Sequence, residues 1–77
     1  MKRSDISTLC ILDSARKAHA ADGATWKYIY EETPAPEKVI HAAMEREYDR
    51  GYLECGVSLR TAWLTESGES KLDELTG

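Results

Sequence analysis

Residues 36–68 read PEKVIHAAMEREYDRGYLECGVSLRTAWLTESG, and their changes of period decide the fold. From Pro36 to Arg50 the apolar residues recur at helical spacing. Ile40, Met44 and Tyr48 share one side of a wheel turned about 100° per residue. Gly51 is the expected stop, since glycine tolerates the left-handed conformation that ends many helices. Beyond it the alternation becomes that of strands. Tyr52–Cys55 predicts a short strand, Gly56-Val57-Ser58 a turn, and Leu59–Leu64 a second strand. In that strand Leu59, Thr61 and Trp63 face one way, Arg60 and Ala62 the other. Strands joined so tightly pair antiparallel. Thr65 then caps a last helix, Glu66–Leu75, whose first turn Gly68 weakens.

Towards the N-terminus, Ser4 and Asp5 are helix-capping residues, and Ile6, Leu9, Cys10 and Leu12 follow at roughly helical spacing. A helix is expected from Asp5 to Ala21, with Asp22-Gly23 as its stop. Thr25 is the expected cap of a second helix, Trp26–Glu32, in which Trp26, Ile29 and Tyr30 lie three and four apart. Thr33-Pro34-Ala35-Pro36 ends that helix and opens the third, because proline is tolerated only in a first turn. The expected fold is mainly α: a three-helix core, a small antiparallel β-hairpin and a short C-terminal helix. Leu9, Leu12, Ile29, Ile40, Met44, Leu53, Trp63 and Leu64 are its expected core.

Composition narrows the function. The chain has 77 residues, 42% hydrophobic and 31% charged, which fits one small globular domain with a thin core and no deep cofactor cavity. Leu9-Cys10-Ile11-Leu12 is too short an apolar run to cross a membrane. Met1-Lys2-Arg3 leads into Ser4-Asp5 rather than an apolar stretch, so no signal peptide is read and a cytoplasmic chain is expected. Ten Lys and Arg against fourteen Asp and Glu leave a net charge of −4, which weighs against a protein that merely coats nucleic acid. Cys10 and Cys55 make no disulfide framework and are read as reduced, partly buried thiols.

Catalytic and metal chemistry find little support. His19 falls in the last turn of helix one, where an imidazole meets the negative end of the helix dipole. His41 has no second histidine or cysteine at ligand spacing, so no metal is expected. Cys10 and Cys55 lie in apolar surroundings that do not activate a thiol. No glycine-rich phosphate loop is present. A non-enzymatic protein without a cofactor is the expectation.

The order of these elements resembles the winged helix-turn-helix family. Its third helix ends in a glycine followed by apolar residues, here Gly51-Tyr52-Leu53. Its second wing strand enters a leucine-threonine pair with a glycine three residues on, here Leu64-Thr65-Glu66-Ser67-Gly68. The resemblance runs from about Ile6 to Leu75, with residues 1–77 read as a single domain. Two departures stand out. Four residues before Gly51, where the family places an aliphatic side chain, stands Glu47, with Tyr48 beside it to take over the packing. The wing turn is short and its tip has no Lys or Arg, Arg60 being the nearest cation.

The resemblance implies a transcriptional regulator that reads the major groove of double-stranded DNA with the helix Pro36–Arg50. Lys38, His41, Ala42 and Glu45 are then the base-contacting residues, and Lys27, Arg46 and Arg60 the phosphate contacts. The alternative is an interaction module that kept the scaffold, abandoned DNA, and binds a protein partner through its acidic surface. In either case a monomer is expected, or a weak homodimer through Leu72 and Leu75 of the last helix.

Overall fold

The computed structural model describes residues 2–77. Among these, four α-helices and one two-stranded antiparallel sheet follow in the expected order. They are α1 (Thr8–Ala20), α2 (Thr25–Glu32), α3 (Glu37–Asp49), β1 (Leu53–Glu54), β2 (Trp63–Leu64) and α4 (Glu66–Thr76). Short 3-10 turns lie at Arg3–Asp5 and Leu59–Thr61.

Capping chemistry explains where the boundaries moved. The α1 helix begins at Thr8 rather than Asp5 because Ser7 is its cap, its Oγ accepting the Cys10 N–H at 3.0 Å. Asp5 instead accepts the Lys2 backbone N–H at 2.8 Å and closes the 3-10 turn. At the other end the Gly23 N–H reaches the Ala18 carbonyl at 2.7 Å, with Asp22 in the left-handed region at φ +54°. Thr25 does not cap α2 but opens it, and its buried hydroxyl donates to the Ala62 carbonyl at 2.7 Å.

The same closure ends α3. Gly51 takes φ +83°, its N–H donates to the Tyr48 carbonyl, and the Tyr52 N–H to that of Glu47, each at 3.0 Å. Pairing in the hairpin sets Leu53 opposite Leu64 and Glu54 opposite Trp63. The second strand is shorter than its alternation suggests. Ser58 curls Leu59–Thr61 into a 3-10 turn by accepting the Arg60 N–H on its hydroxyl and the Thr61 N–H on its carbonyl, both at 3.2 Å. Ala62 consequently faces the core, while Trp63, an expected core residue, is 40% exposed.

The core is built from Ile6, Ile11, Leu12, Ala15, Ile29, Ile40, Ala43, Met44, Leu53, Ala62 and Leu72. Leu64 packs against it from the edge. Leu9 is a second correction, 40% exposed, because a helix phased from Ser7 turns Ile11, Leu12 and Ala15 inward instead. Leu72 is also inside, so only Leu75 of the expected dimer pair stands at the surface.

Gly68 does the opposite of what helix propensity suggests. A Cβ there would lie 2.1 Å from the Tyr52 carbonyl oxygen, so only glycine lets α4 begin against the link between α3 and β1. Thr65 completes that junction. Its hydroxyl donates to the Gly51 carbonyl at 2.6 Å and accepts the Gly68 N–H at 3.0 Å.

Candidate functional site

The α3 helix buries Ile40, Ala43, Met44 and Glu47 and turns its other side outward. Lys38, His41, Ala42 and Glu45, four of the predicted site residues, come together there with Glu37 around a shallow concavity. Ala42 is its small, half-buried member, and the charged and polar side chains around it are exposed. His41 Nε2 lies 3.5 Å from Glu45 Oε1, one helical turn away. Donors and an acceptor thus stand side by side on one rigid element. Lys27 is exposed on α2 and has no ion pair among the described residues.

Arg46 is placed elsewhere. Its side chain is only 16% exposed, with Nη2 3.1 Å from Oε2 of the fully buried Glu47. Nη1 and Nη2 also donate to the carbonyls of Arg3 and Ile6, at 2.8 and 2.7 Å. Arg50 approaches the other Glu47 oxygen at 3.1 Å and donates to Thr8 Oγ1 at the same distance. A buried carboxylate is tolerated only when paired and hydrogen-bonded, and that need turns Arg46 away from the open face. Tyr48 does not take over the packing either; it is 46% exposed. Glu47 itself occupies the interior position.

Arg60 lies on the 3-10 turn rather than on a strand, and its guanidinium is engaged twice. It forms an ion pair with Glu37, and it sits 5.2 Å from the centre of the Trp26 ring. Trp26 in turn stacks on Tyr30, with ring centres 5.4 Å apart and planes 13° from parallel. These two aromatics line a second concavity with Pro34, Ala35, Pro36 and Glu37, so Glu37 borders both. Sequence reasoning missed Glu37 and Tyr30 as surface groups, and Trp26 as the half-buried ring between the core and Arg60. Spacing three and four apart marks a helix stripe but does not say whether another element covers it. Nothing local signals a pairing between Glu37 and the distant Arg60.

Among the described residues no three His, Cys, Asp or Glu side chains gather as a metal site, and no helix is long and apolar enough to cross a membrane. Cys10 and Cys55 are free and half-buried. Comparison of the chain with protein-family models, with curated proteins and with solved structures finds no match in any of the three.

Proposed function

We propose that the protein is a small DNA-binding module of winged-helix type, a transcriptional regulator that sets the open face of α3 into the major groove of double-stranded DNA. The observation that carries this reading is the uncovered stripe Lys38, His41, Ala42 and Glu45, opposite a stripe wholly buried in the core. The chemistry of the stripe suits base edges. A lysine donates to guanine O6 and N7, a carboxylate accepts from the cytosine amino group, and an alanine methyl packs on the thymine methyl. With Arg46 turned inward and Arg60 paired, Lys38 on this face and Lys27, exposed on α2, are the predicted contact cations left without an ion pair among the described residues. These two cations alone give a slope of log affinity against log salt of about −2. Selection from a random duplex library at about 50 mM salt, followed by a salt-titrated mobility shift, tests the proposal. An enriched sequence with a shallow salt slope supports it; no enrichment and no low-salt shift overturn it.

One observation favours a second reading. Trp26 and Tyr30 with Pro34 and Pro36 adjoin the α3 face, and aromatics beside an arginine are typical anchors of protein interfaces. Together with the net charge of −4 this supports a protein partner, which the failure of duplex selection would promote.

A further inference from the structure

The Arg60 guanidinium is engaged by two groups and carried on a turn that is itself fixed. Its 3-10 turn is pinned to α2 by the buried Thr25–Ala62 hydrogen bond, one residue from Trp26. The Trp26 ring lies under the guanidinium, and the Glu37 carboxylate pairs with it. Glu37 is also the first residue of α3, ahead of the first helical bonds from the Val39 and Ile40 N–H groups to the Pro36 carbonyl, and the helix dipole favours an anion there. The cap residue, Pro36, offers this end no side-chain acceptor. A guanidinium fork anchored on an aromatic ring beside a helix start is an arrangement suited to a phosphate, whose oxygens accept two parallel N–H bonds.

We propose that Arg60 on the Trp26 ring forms a phosphate seat which the protein's own Glu37 carboxylate fills, and that a DNA backbone phosphate displaces Glu37 when α3 enters the groove. This rests on the DNA-binding reading for the source of the phosphate, but the seat itself rests on the geometry. Both partners of the pair are about half exposed, and such pairs are held weakly, so exchange for a more highly charged acceptor is easy. The position is apt as well. Glu37 borders the concavity of Lys38, His41, Ala42 and Glu45, so a phosphate in its place flanks the bases that this face meets. Self-occupation also restrains binding, since every docking event must first release an ion pair.

A double-mutant cycle on the full chain tests the seat. Glu37→Gln should tighten duplex binding roughly three- to tenfold, the worth of one charge-assisted contact, without changing the salt slope, because a phosphate occupies Arg60 in both proteins. In an Arg60→Ala background the same substitution should not change affinity. A general loss of negative charge would raise affinity in both backgrounds, and that result overturns the seat. So does wild-type binding that Glu37→Gln leaves unchanged. If neither protein binds duplex, the DNA reading fails, and inorganic phosphate then decides the seat. Trp63→Phe leaves Trp26 as the one indole. In that background with Glu37→Gln, millimolar phosphate should shift Trp26 emission only while Arg60 is present. An emission that phosphate does not move, or moves equally without Arg60, overturns the proposal.

Discussion

Glu47, with no exposed surface, lies 3.1 Å from the guanidinium of its chain neighbour Arg46. Through that guanidinium it clamps the carbonyls of Arg3 and Ile6 against the back of α3. The pair joins the N-terminal turn to the helix whose opposite face is free. Arg46→Met should therefore cost about 3 kcal/mol, the lower end for a broken buried pair, because Arg50 still neutralises part of the Glu47 charge. Urea melts read the loss as a lower midpoint. Duplex affinity measured on the folded fraction should not change, since Arg46 points away from the α3 face.

Gly68→Ala should destabilise the protein by about 3 kcal/mol or more, because its Cβ would overlap the Tyr52 carbonyl and push α4 off the core. Gly56→Ala is the internal control. Its Cβ meets only the Trp63 ring, at 3.8 Å, so its thermal midpoint should stay close to the parent's. Equal melting of the two variants would mean that α4 does not begin against Tyr52.

Thr25→Val keeps the shape of the side chain but leaves the buried Ala62 carbonyl without its donor. A loss of about 1–3 kcal/mol is expected in denaturant unfolding. The same change frees the turn that carries Arg60, so the shielding of Trp26 should fall along with stability. A Thr25→Val protein with unaltered stability would show that water satisfies that carbonyl equally well.

Leu72 and Leu75 should separate cleanly. Leu72→Ala removes a fully buried side chain and should cost about 2–5 kcal/mol. Leu75→Asp touches an exposed residue and should leave stability nearly unchanged. Of the two leucines only Leu75 is then at the surface for any self-association through α4, and sedimentation of the Leu75→Asp protein measures its part.

Lys38→Ala should relax the base preference obtained by duplex selection, at about 1–3 kcal/mol if the ammonium meets guanine. Lys27→Ala should weaken all sequences alike and flatten the salt slope by about one. Variants that behave identically would remove Lys38 from direct base reading.

The element order was legible from a few residues whose effects are local. Pro34 and Pro36 separate α2 from α3, Gly51 ends α3, and Thr65 caps α4, because each acts on backbone groups within one turn of itself. The outer side of α3 was legible for the same reason: a helical wheel sets Lys38, Ala42 and Glu45 opposite Ile40 and Met44, with His41 on the border. The same wheel also sets Arg46 outward, which the structure does not. The phase of α1 was not. Ser4, Asp5 and Ser7 are all competent caps, and choosing among them requires knowing that Ile6 is buried before the helix starts.

By itself, then, the sequence determined where backbone hydrogen bonding must begin and stop, and which helix sides are apolar. Only the tertiary structure decided the fate of the charges and of the close approach. Arg46 turns inward because Glu47 is buried beside it and the carbonyls of Arg3 and Ile6 lie within reach. Arg60 meets Glu37 because the hairpin folds back on α2 and α3. Gly68 must lack a side chain because α4 lands on the Tyr52 carbonyl. These pairings join residues from separate elements, and they exist only once the chain has closed on itself. No periodicity encodes them, since a period describes one element and a charge or a clash depends on its neighbour across the core.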